Sequence, residues 1–213
     1  NIDRTGGEGK SISVRGLSAQ FSRVRINGME TVATGYANTG RAFDFNIFAS
    51  ELFSRIDVNK TMKAEFEEGS LGATVDLYTA HPLDSAKDTF LVSYTQGYND
   101  LSKASDPRFT ALGSMQNEDG TLGAAVSIAL SQRTIAQQGH NSGRWEANTT
   151  GNNTWANAAA LPASVNAAVH PRFPRHMDRE IDIDRMGFTG SIQWKPTDDT
   201  KLTLDVLDAS LGF

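Results

Sequence analysis

The chain has 213 residues, of which 38% are apolar and 21% charged, and its formal net charge is −5. This length suffices for one large domain or two small ones with a packed core, and the apolar content excludes a disordered tail. The charge balance lacks the basic footprint of a nucleic-acid-binding protein, and the absence of cysteine excludes disulfides, thiol nucleophiles and zinc sites built on cysteine.

The first glycine-rich stretch resembles a phosphate-binding loop only in part. Gly9-Lys10-Ser11 matches the end of that motif, but the motif also needs a glycine at position 4, where the chain has Arg4. A helix should follow the lysine so that its amino-terminal amides face the anion. Residues 11–15 instead alternate polar and apolar side chains, which predicts a strand. We therefore expect no nucleotide site here.

Residues 1–84 read as a small α+β region. Strands are predicted over residues 11–14, 23–26, 56–58 and 73–78, and the dipeptide Asn27-Gly28 predicts a tight turn after the second of them. Ser50 has the character of a helix N-cap, so a helix of a few turns is predicted to begin there.

From residue 85 onward the sequence shows five runs of two-residue alternation. Each run has roughly the nine to eleven residues that cross a bilayer as a tilted strand. Their apolar positions are Phe90, Val92 and Tyr94; Phe109, Ala111 and Met115; Leu122, Ala124, Val126, Ile128 and Leu130; Met186, Phe188, Ile192 and Trp194; and Leu202, Leu204 and Val206. The last run changes phase near Leu207, which indicates a β-bulge or an error in the strand assignment.

The connections between these runs alternate in length. Residues 117–120 and 196–200 are tight turns, whereas residues 99–106 form a moderate connection and residues 136–178 a very long one. Tight turns on one side and long loops on the other are typical of outer-membrane barrels, although a soluble stack of hairpins also produces this order. Trp194 ends its strand beside a tight turn, where an aromatic girdle residue is expected.

Five motifs of the first region occur together in one order. They are I-S-V-R-G at residues 12–16, R-V-x-I-N-G at 23–28, S-E-L at 50–52, R-I-D-V-x-K-T at 55–61 and E-G-x-L-G-x-T-V-D-L at 68–77. Through them the region resembles the plug domain of a TonB-dependent outer-membrane receptor. Two departures are Gly72-Ala73, where many relatives have two glycines, and His81, where an arginine is common.

The resemblance implies a mainly β protein. Residues 1–84 would be the C-terminal part of an α+β plug domain, and residues 85–213 the first five or so antiparallel transmembrane strands of a barrel of roughly 22 strands. The chain is thus expected to be a fragment with an incomplete barrel.

The resemblance also implies a function. It would be ligand-gated active transport, across the outer membrane of a Gram-negative bacterium, of a carbohydrate or another small organic or oligosaccharide substrate. The expected partners are outer-membrane lipid and the inner-membrane TonB energy-coupling complex, which would act through a segment missing from this chain. No enzymatic activity, cofactor, metal or nucleic-acid partner is expected.

Two groups of residues are candidates for this function. Flat aromatic faces with neighbouring polar groups suit sugar rings. The candidate substrate sites are therefore the loop after Asn27-Gly28 and the loop over residues 136–178. The substrate-binding candidates are Thr34, Tyr36, Asn38, Trp145 and Trp155, and the candidates for contacts between plug and barrel are Arg15, Arg23, Arg25, Glu67 and Glu68. Variable surface loops and solvated surface charges are the competing interpretations.

Other interpretations have less support. His170 and His176, with Asp178 and Glu180, could be drawn as a metal site, but their spacing fits no ligand motif and two nearby prolines break any helix that would align them. A self-contained β-rich surface or secreted ligand-binding module is the alternative function. A passive porin would lack the motifs of residues 6–84.

Overall fold

The computed structural model describes residues 1–5, 8–31, 42–61, 63–64, 66–85, 87–147 and 160–213. The described chain is mainly β, as expected, and consists of antiparallel sheets with one parallel strand pair. It divides into two compact units, Asn1–Thr134 with Asp182–Phe213, and Ile135–Ile181. None of the helices in the described ranges is long and apolar enough to span a bilayer.

The chain begins with an antiparallel hairpin of strands β1 (Ile2–Thr5) and β2 (Glu8–Ile12). Strand β2 begins three residues before the predicted strand at 11–14 and ends at Ile12, because the chain turns at Arg15 and Gly16, which both have positive φ. Lys10 therefore lies inside a strand, one residue before the predicted one, and no helix begins at the phosphate-loop-like sequence.

A four-stranded sheet forms the centre of the N-terminal region (residues 1–84). Its strands are β3 (Arg23–Ile26), β4 (Met29–Glu30), β5 (Phe53–Asn59) and β6 (Thr74–Thr79), in the order β4-β3-β6-β5. Strands β3 and β6 are parallel, and the other pairs are antiparallel. Asn27 and Gly28 have φ of 49° and 83°, the conformation of the predicted tight turn.

The helix predicted at Ser50 is only the single 3₁₀ turn Ser50–Leu52. It stops there because β5 follows at once, pairing with β6 from Phe53 onward. Backbone pairing with the central strand has overridden the local N-cap signal.

The core of the N-terminal region lies on the central strands. Its buried residues are Val24, Ile26, Phe43, Val75 and Leu77, with Phe45, Phe48, Phe53 and Leu207 packed against them. Strand β6 is buried on both faces, so polar Asp76 is almost as inaccessible as Val75. A carboxylate in that position needs a partner, and Arg25 supplies it.

The second half of the chain forms a larger, open sheet among the described residues. Its first strands are β7 (Thr89–Asn99), β8 (Ala104–Gln116) and β9 (Leu122–Ser142). A separate hairpin of β10 (Trp145–Ala147) and β11 (Val169–Pro171) follows, together with the one-turn helix α1 (Ala163–Asn166). Strands β12 (Pro174–Thr197) and β13 (Thr200–Gly212) complete the main sheet, whose order is β13-β12-β9-β8-β7.

The five predicted strands of the second half are confirmed, but the long loop predicted over residues 136–178 is too long. Strand β9 continues to Ser142 and β12 begins at Pro174. The apolar alternation ends near residue 131, whereas backbone pairing does not need an apolar face and continues beyond it. Hydrophobic periodicity therefore marked only the central part of each strand.

The two faces of the main sheet differ in chemistry. The inner face carries small and polar side chains that are buried, namely Ala125, Ser127, Ala129, Thr189, Ser191 and Gln193. The outer face carries exposed apolar side chains, namely Phe90, Val92, Tyr94, Met115, Leu122, Val126, Met186, Ile192, Trp194, Leu202, Leu204 and Val206. The sheet is thus apolar on the side away from the N-terminal region and polar on the side that faces it.

The phase change near Leu207 is not a bulge. Strands β12 and β13 pair without a register shift from Asp184↔Gly212 to Trp194↔Leu202. Leu207 pairs with Thr189 on the inner face and packs against the core of the N-terminal region. Leu207 is apolar although it lies on the polar face, because it covers the apolar core of the N-terminal region.

Candidate functional site

The inner face of the main sheet contacts the N-terminal region through polar side chains and close packing. Gln193 is fully buried, and its Oε1 accepts a hydrogen bond of 3.0 Å from the backbone N–H of Leu83. Gly187 lies directly under Leu52, and a Cβ added at this glycine would overlap Leu52 Cδ1. The contact between the sheet and the N-terminal region therefore needs the buried amide of Gln193 and the absence of a side chain at Gly187.

An ionic cluster of Glu8, Arg133 and Arg185 joins the first hairpin to strands β9 and β12. Glu8 Oε2 accepts a hydrogen bond of 2.9 Å from Arg185 Nη2, and Glu8 Oε1 lies 2.5 Å from Arg133 Nη1 as an ion pair without aligned hydrogen-bond geometry. Arg185 also donates to the backbone carbonyl and side-chain amide oxygens of Asn46. The side chains of Glu8 and Arg185 are only 9% and 10% exposed, so their charges interact with little solvent screening.

A second ion pair joins Glu51, in the 3₁₀ turn before β5, to Arg108 on β8, with Oε1 and Nη1 2.7 Å apart. Burial alone would raise the pKa of the Glu51 carboxyl. A hydrogen bond from its own backbone amide and the charge of Arg108 outweigh burial, so the pKa lies below its ordinary value. Glu51 is therefore held in its charged form at neutral pH.

A polar network centres on Asp205 of β13. Its Oδ2 accepts a hydrogen bond of 2.9 Å from Asn27 Nδ2 and lies 3.1 Å from His81 Nε2, while its Oδ1 accepts from Ser191 Oγ at 2.7 Å. The other ring nitrogen of His81 lies 3.4 Å from Asp84 Oδ2. This network ties the Asn27-Gly28 turn and the segment after β6 to the last strand of the sheet.

The fold and these contacts describe a small domain of strands and 3₁₀ turns, without an α-helix in its described residues, held by polar groups against one face of a long-stranded sheet. Residues 1–74 match the family model for the TonB-dependent Receptor Plug Domain. These 74 residues are the plug domain of a TonB-dependent receptor. This family comprises ligand-gated transporters of the outer membrane of Gram-negative bacteria and is not an enzyme family. No curated protein and no solved structure matches the chain.

The residues predicted to join plug and barrel have their described contacts inside the plug domain. Arg23 Nη2 pairs with Glu30 at 2.8 Å and with Glu67 at 2.7 Å, and its Nη1 donates to the backbone carbonyl of Glu68 at 2.7 Å. These bonds tie β3 to the segment before β6.

The other two predicted contact residues also lie within the plug domain. Arg25 Nε donates to Asp76 Oδ1 at 2.6 Å, and this hydrogen bond raises the pKa of the arginine. Arg15 is exposed in the turn after β2. A contact between these residues and other parts of a barrel stays a prediction.

Of the substrate-binding candidates, Thr34, Tyr36, Asn38 and Trp155 lie outside the described residues. Trp145 begins β10, pairs with Pro171 across the small hairpin and is 64% exposed. Its ring is accessible for stacking, and its role in substrate binding stays a prediction.

His170, His176, Asp178 and Glu180 do not form a metal-binding cluster. His176 contacts His140, with their Nδ1 atoms 3.3 Å apart, whereas His170 Nδ1 lies 3.2 Å from the backbone oxygen of Pro171. The described part of the chain has no group of three or more histidine, aspartate or glutamate side chains that could hold a metal ion.

Sequence reasoning missed several residues that do join the N-terminal region to the sheet, namely Glu8, Glu51, Asn27, His81, Arg133 and Asp205. The sequence did contain a signal for the arginines of this interface. Arg108, Arg133 and Arg185 all fall on the small or polar face of their strands, where a charged side chain must meet either solvent or a partner. The partners themselves are far away in sequence and carry no local pattern.

Proposed function

We propose that this chain is part of a TonB-dependent active transporter that carries a carbohydrate or another organic nutrient across the outer membrane. The observation that carries the proposal is the contrast between the faces of the main sheet. One face is apolar and exposed, and the other is polar and bound to the plug domain.

The apolar face fits contact with lipid. Phe90 is 83% exposed and Leu204 63%, and similar residues lie on all five strands. Soluble proteins rarely expose contiguous apolar patches larger than a few hundred Å². Lipid chains would cover this face without any cost in dehydration of polar groups, which supports strands of a transmembrane barrel.

The polar face fits a plug that must move. The described links to the sheet are mainly ion pairs and hydrogen bonds, centred on Glu8, Glu51 and Asp205. Polar links exchange for water at a net cost of about 0.5–1.5 kcal/mol per neutral hydrogen bond and about 1.5–3 kcal/mol per hydrogen bond to a charged group. Energy from the inner-membrane TonB complex, transmitted through a coupling segment, would rearrange such a plug without exposing a large apolar surface.

The test is uptake by cells that carry the full-length receptor gene. Binding and uptake of labelled oligosaccharides would be compared in otherwise identical strains with and without the TonB complex. We expect binding in both strains and accumulation only where TonB is present. Equal accumulation in both strains would support a passive porin, and recovery of the native protein from the soluble fraction would support a self-contained binding module.

A further inference from the structure

Three arginines of the inner face border one pocket of about 300 Å³. We call it the arginine pocket and define it by the polar inner-face residues that line it, which are Thr95, Asp106, Arg108, Ser131, Arg133 and Arg185. These residues come from β7, β8, β9 and β12, so rigid paired strands position each of them. The volume lies at the lower end of the range for small-molecule sites, which limits a ligand to about one sugar ring.

The strand register places polar groups in a row across the pocket. Arg108 pairs with Thr95 on one side and with Ser131 on the other, so a residue with a hydroxyl group lies beside Arg108 on both neighbouring strands. Arg133 lies two residues beyond Ser131 on the same face, diagonal to Arg108. Diagonal neighbours lie about 7–8 Å apart, which two arginine side chains span easily.

Two of the guanidinium groups retain donors for a ligand. Within the described part of the chain, Arg108 contacts Glu51 and Arg133 contacts Glu8, each through Nη1 alone. Their side chains are 47% and 42% exposed, and a guanidinium group has five N–H donors. The edge formed by Nε and Nη2 of each arginine is thus available for a bidentate contact.

The charges around the pocket restrict the kind of anion. The three arginines face Glu8 and Glu51 of the plug domain, and Asp106 lines the pocket, where its Oδ1 accepts the backbone N–H of Thr134. The formal charges of these six groups cancel. Directed N–H donors, rather than a strong positive potential, must therefore provide the binding energy, which favours a monoanion over a multiply charged one.

We propose that the arginine pocket binds the carboxylate of an acidic monosaccharide, with Arg108 and Arg133 as the carboxylate ligands and the hydroxyls of Thr95 and Ser131 as partners of the sugar hydroxyls. The inference rests on the proposed function and narrows its substrate to uronate-type sugars. Both arginines already contact a carboxylate, Glu51 for Arg108 and Glu8 for Arg133, so each guanidinium group is accessible to an anion of this kind.

The test measures binding by the purified full-length receptor in detergent. Isothermal titration calorimetry would compare glucuronate with glucose, which has the same ring without the carboxylate. We expect glucuronate to bind at least tenfold more tightly. The double variant R108Q/R133Q should lose that preference, because glutamine has neither the charge nor the forked donors. The variant R55Q, which alters an exposed arginine of the plug domain, is the matched control and should retain it.

A second double variant keeps the test valid if R108Q/R133Q does not fold. R108K/R133K keeps both charges but lacks the planar fork, and we expect it to bind glucuronate at least fivefold more weakly than the wild type. An unchanged preference in either double variant, or equal affinity of the wild type for both sugars, would overturn the inference.

TonB-dependent uptake of neutral sugars alone would refute the inference and leave the proposed function intact. Glucuronate binding without TonB-dependent uptake would refute the function instead.

Discussion

Glu8 is nearly buried between arginines from two neighbouring strands of the sheet. Such a carboxylate stabilises the interface only while its charge is present, because Arg185 is itself largely inaccessible to water. Removing one partner from a buried ion pair leaves the other uncompensated, which costs more than the pair contributes.

We therefore expect Glu8→Gln to destabilise the full-length receptor by about 3–5 kcal/mol. The matched control is Glu67→Gln, because Glu67 also pairs with an arginine but its side chain is 66% exposed. An exposed pair contributes about 0–1 kcal/mol. Chemical unfolding in detergent gives both values, and an equal effect of the two substitutions would contradict the role assigned to Glu8.

The Glu51–Arg108 pair predicts a dependence of stability on pH. The pKa of Glu51 is lower in the folded protein than its ordinary value of 4.5, so the folded state binds this proton less readily than the unfolded state. The resulting stabilisation is fully present above the ordinary value and is lost as pH falls through the folded pKa.

In the variant Arg108→Gln the carboxyl loses its charged partner. Its pKa moves up, and we expect stability to fall less steeply between pH 6 and 3 than in the wild type. Thermal unfolding across that range measures the difference. Parallel curves for the two proteins would show that Arg108 does not set the titration of Glu51.

In strand β13, the inward-pointing Leu207 interrupts the alternation of apolar and polar side chains. Leu204 points to the apolar outer face, whereas Leu207 points inward and covers the core of the plug domain. A lone strand sequence cannot reveal this, because the alternation records only which face is apolar on average. The reason for the exception lies in residues such as Ile26 and Leu77, which are more than a hundred positions away.

The same substitution at these two sites should have different effects. Leu207→Ala removes packing atoms from a partly buried site, and we expect a loss of about 2 kcal/mol in unfolding free energy. Leu204→Ala alters a side chain that detergent or lipid surrounds, and we expect a smaller loss. A larger effect at Leu204 would contradict the inward packing of Leu207.

Much of the fold was readable from the sequence, and the failures have physical causes. Two-residue alternation located all five long strands, and Asn27-Gly28 located its turn. The helix at Ser50 failed because pairing of β5 with β6 outweighed a capping signal. The pairing of the plug domain with the sheet was hidden because Glu8 and Arg185 are 177 positions apart and only the folded chain brings them together.

The protein as a whole combines a polar interface with an apolar outer surface and two strands, β7 and β13, that each have one unpaired edge in the described sheet. Exposed apolar faces and unpaired edges promote association between chains. We expect residues 1–213, expressed alone without detergent, to aggregate. Size-exclusion chromatography checks this, and a monodisperse protein that unfolds cooperatively in detergent-free buffer would contradict it.

The great sequence separation of the interface partners also determines when they meet. Glu8 and Arg185 are 177 positions apart, and Asn27 and Asp205 are 178 positions apart. Bringing such distant residues together closes a loop of more than 170 residues, and the conformational entropy of that loop opposes the contact until it forms. Closing the interface is consequently a late folding event, limited by loop closure rather than by the strength of the contacts.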